Sequence, residues 1–233
     1  MRLALIPARG GSKRIQRKNI REFLGKPVIA YAIGAAIRSG LFERILVSTD
    51  DPEIAKVASC FGVETPFSRP AELSGDDVTT DAVLVHAVEE AQRLYGPLDP
   101  SCCIYPVNPL LTAEVLLAGL DLLVEHRAPS SFPVVRYDFP IEQALELNDG
   151  VHPRFRQPEL VEARSQDLPV SYHDAGMFYW FDPAALLAGG RLFCDDSVAF
   201  EIPAERCQDV NTPEDWAVAE LKYKRLEAAG EFR

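Results

Sequence analysis

The chain has 233 residues, of which 47% are hydrophobic and 25% charged, as is ordinary for one globular domain with a sizeable core. We therefore expect a single domain over residues 1–233. No apolar run approaches the ~20 residues that span a bilayer, and the first residues carry no export signal. The net charge of −11 argues against a nucleic-acid partner, and five cysteines without a C-x-x-C pair indicate reduced thiols. We expect a cytoplasmic protein without membrane partners.

Strands and helices alternate along the chain. The hydrophobic pattern predicts strands at 3–7, 45–49, 102–105, 132–136 and 198–202, and helices at 27–39, 52–61, 80–94, 113–126 and from 213 onward. Such alternation is typical of an α/β fold with a mainly parallel sheet. Ligands of such folds bind beyond the carboxyl ends of the strands.

The loop after the first strand carries a dense cluster of positive charge. No acidic residue interrupts its six basic residues, which are Arg9, Lys13, Arg14, Arg17, Lys18 and Arg21. Outside this loop, 18 basic residues stand against 35 acidic ones, a net charge of −17. Gly10 and Gly11 would let the backbone approach a phosphate closely. The loop therefore indicates a triphosphate cradle, although the G-x-x-x-x-G-K-[ST] and G-x-G-x-x-G patterns are absent.

A different pattern occupies residues 137–172. Prolines are frequent there, and Asn148-Asp149-Gly150 is a hairpin turn signal. We expect strands at 141–147 and 151–155 to form a projecting β-hairpin. The aromatic run Phe178 to Phe181 predicts a buried strand, and His86 lies among apolar helical residues and is interpreted as a core histidine.

The motif IPARGGSKRIQRKN, from Ile6 to Asn19, resembles the signature loop of the CMP-sialic acid synthetases, or acylneuraminate cytidylyltransferases. Within this family, RSQDLP at 164–169 and YHDAGMFYW at 172–180 resemble the pseudaminic acid cytidylyltransferases. The resemblance implies a three-layer fold of the nucleotide-diphospho-sugar transferase type. It also implies transfer of CMP from CTP to pseudaminic acid, with release of pyrophosphate and Mg²⁺ as cofactor. The insertion 137–172 is implied as a dimerisation and sugar-site element of a homodimer.

The resemblance also implies roles for individual residues. The implied nucleotide-binding residues are Ala8, Arg9, Gly10, Gly11, Ser12, Asn19, Arg69 and Thr80. The implied catalytic residues are Arg9, Lys13, Lys18 and Asp209, whose cations would stabilise charge growing on the phosphoryl oxygens. Asp209 and Asn211 occupy the positions of the two magnesium-facing aspartates of the family. An amide oxygen can bind Mg²⁺ but adds no charge, so the number of metal ions stays open.

The implied sugar-binding residues are Tyr105, Arg164, Gln166, His173 and Asp174. The Arg164 guanidinium suits bidentate binding of the sugar carboxylate. Tyr105 and Leu111 replace the glutamine and arginine that are usual in sialic acid synthetases. These departures bear on which sugar is used.

Three other interpretations stay open on the sequence. The nearest is the same chemistry on N-acetylneuraminic acid or another nonulosonic acid. A sugar-nucleotide glycosyltransferase would need a D-x-D-like metal site, which Asp50-Asp51 matches poorly. A non-catalytic nucleotide-binding module is the third, because Asn211 stands where an acidic residue is usual.

Overall fold

The computed structural model describes residues 1–189 and 191–232. The helices are α1 (Ile29–Ser39), α2 (Pro52–Ser59), α3 (Thr80–Tyr95), α4 (Ala113–His126), α5 (Pro183–Gly189) and α6 (Pro213–Ala228). The strands are β1 (Leu3–Pro7), β2 (Glu22–Phe23), β3 (Lys26–Pro27), β4 (Arg44–Ser48), β5 (Ser101–Ile104), β6 (Ser130–Arg136), β7 (Leu145–Asn148), β8 (His152–Phe155), β9 (Tyr172–Asp174), β10 (Phe178–Phe181) and β11 (Val198–Glu201). The predicted α/β fold is confirmed.

The main sheet is mixed but mostly parallel. Its order is β11-β6-β10-β5-β1-β4, and β9 pairs with β6 beside β10. Only β9 and β10 run antiparallel to their neighbours among the strands described in this sheet. The carboxyl ends of the parallel strands therefore share one edge, and the loop that follows β1 lies there.

Helices cover both faces of this sheet because its strands bury apolar residues on each side. Ala4 and Ile6 of β1 belong to a core that α1, α2 and α4 cover, whereas Leu3 and Leu5 pack toward α3 and α5. A third cluster joins Ile15 and Phe23 to Trp216 of α6, so the C-terminal helix braces the basic loop. Within the described residues, no helix is both long and apolar enough to cross a membrane.

Several helices begin where their caps predict. The Asp51 carboxylate accepts hydrogen bonds from the backbone N–H groups of Glu53 and Ile54 at the start of α2. Thr112 caps α4, and Thr212 with Asp215 forms a capping box on α6. These side chains accept hydrogen bonds from the first backbone N–H groups of each helix, which have no partner within the helix. This capping determines the residue at which each helix begins.

Other boundaries differ from the predictions. The first helix begins at Ile29 rather than at 27, because Pro27 pairs with Glu22 in the short β2–β3 ladder. The hairpin is present, with Asp149 and Gly150 at positive φ, but β7 begins only at Leu145. A 3-10 turn occupies Ile141–Gln143, where a strand was predicted. The β7–β8 ladder forms a sheet of its own, apart from the main sheet.

Candidate active site

A cleft of about 620 Å³ lies at the carboxyl ends of β1 and β5. Five basic and two acidic side chains line it, an excess of three positive charges in a protein of net charge −11. The charged lining residues are Arg9, Lys13, Arg14, Lys18, Arg69, Asp76 and Asp209. Such a cleft concentrates anions and is suited to a polyphosphate.

The basic loop is held by hydrogen bonds to the neighbouring strand end. The Ala8 N–H donates to the carbonyl of Ser48 at 2.9 Å, and the Gly10 N–H donates to the Asp50 carboxylate at 3.0 Å. Asn19 is buried, and its side-chain nitrogen donates to the carbonyl of Arg9 at 2.9 Å. These contacts fix both ends of the loop, so its basic side chains extend from a defined backbone.

Arg17 serves this scaffold rather than the cleft. It adopts a left-handed conformation with φ 54°, and its guanidinium pairs with Asp51 at 2.5 Å. Burial raises the pKa of the Asp51 carboxyl, but the hydrogen bonds from Arg17 and from the backbone N–H groups of Ile54 and Glu53 together lower it below its usual value. The Asp51 carboxylate thus caps α2 and anchors the loop at the same time.

Arg9 and Lys13 share one carboxylate at the mouth of the cleft. Nη1 of Arg9 lies 2.8 Å from Oδ1 of Asp76, and Nζ of Lys13 lies 2.5 Å from Oδ2 of the same residue. Arg9 also donates to the carbonyl of Gly75 at 2.9 Å. The hydrogen bonds from Lys13 and Arg9 hold the pKa of Asp76 below its usual range.

Lys18 lies deeper, beside Asp209. Its ammonium donates to the carbonyl of Val210 at 2.8 Å. Burial lowers the pKa of Lys18, and the nearby Asp209 carboxylate opposes this shift. The two side chains bring a cation and an anion to the floor of the cleft.

Asp209 and Asn211 are the residues that sequence predicts for a metal. The structure places the side-chain nitrogen of Asn211 2.5 Å from Oδ2 of Asp209, so the amide orients the carboxylate. No group of three or more His, Cys, Asp or Glu residues that could hold a metal occurs in the described part of the chain. A single carboxylate can nevertheless bind Mg²⁺ when the phosphates of a substrate supply further oxygen ligands. Asn211 itself lies outside the cleft lining.

Arg69 is buried at the back of the cleft, with 5% of its surface exposed. Its Nε and Nη2 donate to the side chain and carbonyl of Ser48 at 3.2 and 2.6 Å. Burial lowers its pKa, and the field of Asp50 raises it. No carboxylate lies within ion-pair distance of Arg69 among the described residues. A buried guanidinium without a paired anion is costly, so an anionic ligand would stabilise it.

Thr80 and Tyr105 form a polar wall of the cleft. Their hydroxyl oxygens are 3.0 Å apart. Burial raises the pKa of Tyr105 to about 12, so this phenol stays protonated near neutral pH. Behind it, Tyr179 packs edge-on against Tyr105 with 5.4 Å between ring centroids and donates to Asp174 at 2.5 Å.

The other predicted sugar residues lie outside the cleft lining. Arg164 is exposed and pairs with Asp167 at 2.8 Å, and Gln166 lies in the same short 3-10 turn. His173 is exposed and packs against Tyr137. Asp174 accepts hydrogen bonds from Gly176 and Tyr179, and of these Gly176 lines the cleft. Asp174 therefore supports the cleft wall from behind.

The remaining predicted residues divide between lining and support. Ser12, Asn19 and Thr80 line the cleft, whereas Ala8, Gly10 and Gly11 shape the loop behind it. His86 lies outside the lining, is half-buried rather than in the core, and packs edge-on against Phe67. The sequence did not point to Asp76, and it indicated Arg14 only as one member of the basic cluster. The signal for Asp76 was its place in the loop between Arg69 and Thr80.

Known proteins show the family of this chain. Residues 3–181 match the family model described as Cytidylyltransferase. A pseudaminic acid cytidylyltransferase of Campylobacter jejuni serotype O:2 is 38% identical over 95% of this chain and 96% of that protein. The N-acylneuraminate cytidylyltransferase A of Danio rerio is 32% identical over 96% of this chain and 51% of its own length.

Solved structures agree on the fold. The structure of CMP:2-keto-3-deoxy-manno-octonic acid synthetase complexed with CTP superposes with a TM-score of 0.70 at 17% identity, covering 97% of this chain and 99% of that one. The 4-diphosphocytidyl-2C-methyl-D-erythritol synthase of Anaerococcus prevotii gives a TM-score of 0.63 at 14% identity, covering 96% and 98%. Since the family model and the Campylobacter relative each extend over most of the sequence, the chain belongs to the cytidylyltransferase family.

Proposed function

We propose that this protein transfers CMP from CTP to pseudaminic acid, releasing pyrophosphate and forming CMP-pseudaminic acid. The cationic cleft supports the nucleotide part of the proposal, because it offers an excess of three positive charges at the strand ends. The sugar is inferred from the 38% identity to the Campylobacter enzyme and from the motifs at 164–169 and 172–180.

The reaction forms one bond at phosphorus and breaks another. The oxygen of the sugar's anomeric hydroxyl bonds to the α-phosphorus of CTP, and the bond from that phosphorus to the bridging oxygen breaks. Pyrophosphate leaves with the electron pair, and the hydroxyl proton passes to solvent. Negative charge therefore moves toward the leaving group as the reaction proceeds.

The chain's own residues would counter that charge. Arg9 and Lys13 at the mouth of the cleft would receive the outer phosphates, and Lys18 would lie nearer the reacting phosphorus. A cation that is fixed before the reaction costs no reorganisation when charge develops, and this lowers the barrier. Arg69 would gain the anionic partner that its buried guanidinium lacks among the described residues.

Mg²⁺ fits the site through Asp209. When bound by this carboxylate and the nucleotide phosphates, it would neutralise phosphate charge and orient the α-phosphate. The amide of Asn211 holds the Asp209 carboxylate in place through a hydrogen bond. For Asn211 to be a second ligand, its side-chain oxygen would have to turn toward the metal.

The sugar would lie beside Tyr105, toward Gly176 and the start of β10. Asp174 supports this edge through its hydrogen bonds to Gly176 and Tyr179, while His173, Arg164 and Gln166 lie outside the cleft lining of their own chain. A role for Arg164 in binding the sugar carboxylate requires that this segment, or its copy in a second subunit, closes on the sugar. We propose a homodimer formed through residues 137–172 for this reason.

The function is tested by pyrophosphate release from CTP, Mg²⁺ and pseudaminic acid, with UTP, ATP and GTP as nucleotide controls. We expect turnover with CTP but not with UTP, ATP or GTP. The Asp209→Ala variant should lose this turnover while its circular dichroism spectrum stays unchanged. The control Asp77→Ala removes an exposed carboxylate outside the cleft lining and should keep activity. Turnover with UTP at the rate of CTP, or full activity of Asp209→Ala, would contradict the proposal.

A further inference from the structure

The cleft already contains an anion of its own, the carboxylate of Asp76. It touches the two cations at the cleft mouth, Arg9 at 2.8 Å and Lys13 at 2.5 Å. Each of its two oxygens takes one of them. A phosphate group also presents negatively charged oxygens that accept such hydrogen bonds, so Asp76 makes contacts that a ligand phosphate could make.

The segment that carries Asp76 is anchored at both ends but weakly held between them. The Ser74 N–H donates to Ala71 on one side, and Thr79 caps α3 on the other. Among the described residues, no backbone–backbone hydrogen bond joins 75–78 to another part of the chain. The contacts that Arg9 and Lys13 make with Gly75 and Asp76 therefore hold this segment over the cleft.

Charge decides which anion these cations prefer. Asp76 offers one negative charge and is 40% exposed, and exposed ion pairs contribute little free energy. A triphosphate brings about four charges and several oxygens within the same reach. A polyphosphate can therefore displace the carboxylate, while a weakly charged anion competes poorly with it.

We propose that Asp76 is a resident competitor for the outer phosphates of the nucleotide, and that it thereby sets nucleotide affinity and aids the departure of pyrophosphate. Before the nucleotide arrives, the carboxylate holds Arg9 and Lys13 at the cleft mouth. When phosphates bind, the segment 75–78 swings away. After the reaction, the return of Asp76 to both cations favours release of the leaving group. This role rests on the proposed function, because it assumes that Arg9 and Lys13 bind the phosphates of CTP.

Isothermal titration calorimetry with inorganic tripolyphosphate, pyrophosphate and CTP tests the proposal. In Asp76→Asn, the Kd of all three ligands should fall by about three- to tenfold, which corresponds to losing a competitor of surface ion-pair strength. Asp77→Asn is the matched control, because it removes the same charge at the next residue. The Asp77 side chain is exposed and lies outside the cleft lining. It should change each Kd by less than about twofold. Asp76→Glu should restore values near those of the wild type.

Steady-state kinetics separates this role from a merely structural one. We expect Asp76→Asn to lower the KM for CTP and the inhibition constant of pyrophosphate, without raising kcat. Asp76→Ser provides a second neutral variant should the asparagine protein fold poorly. Weaker tripolyphosphate binding in the neutral variants, or equal effects of the substitutions at 76 and 77, would overturn the proposal. If the wild type binds tripolyphosphate and CTP but releases no pyrophosphate from CTP and pseudaminic acid, the proposed function fails, while the Kd values of the variants at 76 and 77 still decide this inference.

Discussion

Gly10 is the residue of the basic loop with the least room for a side chain. A Cβ atom there would lie 2.5 Å from Oδ2 of Asp51, the carboxylate that caps α2 and pairs with Arg17. The same construction at Gly11 meets nothing within 4 Å. Two adjacent glycines thus differ in what they do, although the sequence presents them as equivalent.

We expect Gly10→Ala to lower the free energy of unfolding by about 1–3 kcal/mol and to weaken CTP binding, because the loop must move away from Asp51. Gly11→Ala is the control and should change the stability by less than about 0.5 kcal/mol. Urea denaturation and calorimetry with CTP measure both effects. Equal stability of the two variants would contradict the close approach seen at Gly10.

The lowered pKa of Lys18 predicts how the affinity for CTP depends on pH. Burial lowers it, so the ammonium loses its proton at a lower pH than an ordinary lysine does. The charged form binds phosphate, and CTP affinity should therefore decline as pH rises through this lowered pKa, below the usual 10.5. In Lys18→Arg the charge persists, and the decline should move to higher pH.

Lys13→Arg provides the control for this measurement, because Lys13 is 81% exposed. Its pH profile for CTP binding should match that of the wild type. A Lys18→Arg profile that coincides with the wild-type profile would show that Lys18 does not titrate in contact with the nucleotide.

Helix α4 packs closely on the sheet through Gly119. A Cβ atom there would lie 2.8 Å from the Phe178 ring and 2.9 Å from the Trp180 ring, both buried in β10. Gly34 in α1 would meet only the flexible end of Arg38, at 3.0 Å. The two helices therefore place opposite demands on the same residue type.

Gly119→Ala should destabilise the protein by about 1–3 kcal/mol, since overpacking against two rings outweighs the better helix propensity of alanine. Gly34→Ala should be neutral or stabilising by up to about 1 kcal/mol, because the Arg38 end can move aside. Thermal and urea unfolding compare the two. A stabilised Gly119→Ala would contradict the close packing of α4 on β10.

Local signals in the sequence predicted the elements well. The caps at Asp51, Thr112 and Thr212 act within a few residues, so they can be recognised without knowing the fold. The antiparallel direction of β10 depends on its neighbours β5 and β6, which are far away in sequence, and no local pattern encodes it. The same reason limits what the sequence predicts of the candidate site. The basic loop is recognisable as a motif, whereas its contact with Asp76 arises only on folding.

Residues 137–172 carry large apolar side chains that their own chain leaves exposed. Phe139 is 83% exposed and Val151 71% exposed, and the β7–β8 ladder has no partner in the main sheet. Large apolar side chains grouped on one projection are typical of an interface between chains. The turn at Asn148-Asp149-Gly150 predicted the β-hairpin, whereas the dimerisation role of residues 137–172 stays a prediction.

We expect the wild-type protein to sediment as a dimer and the double variant Phe139→Asp, Leu147→Asp to sediment as a monomer, because the charges would oppose burial of the surface. Leu221→Asp on α6 is the control, since Leu221 is 68% exposed and lies outside residues 137–172. It should leave the dimer intact. A wild-type monomer at micromolar concentration, or an unchanged dimer in the double variant, would contradict the proposal.

The sugar that the whole molecule selects decides which sugar nucleotide it makes. The most direct test is a competition in which equal amounts of pseudaminic acid and N-acetylneuraminic acid meet limiting CTP and Mg²⁺, with the products resolved by mass spectrometry. We expect CMP-pseudaminic acid as the main product, with pyrophosphate released in equal amount. Predominance of CMP-N-acetylneuraminic acid, or CTP that stays unconsumed with both sugars, would contradict it.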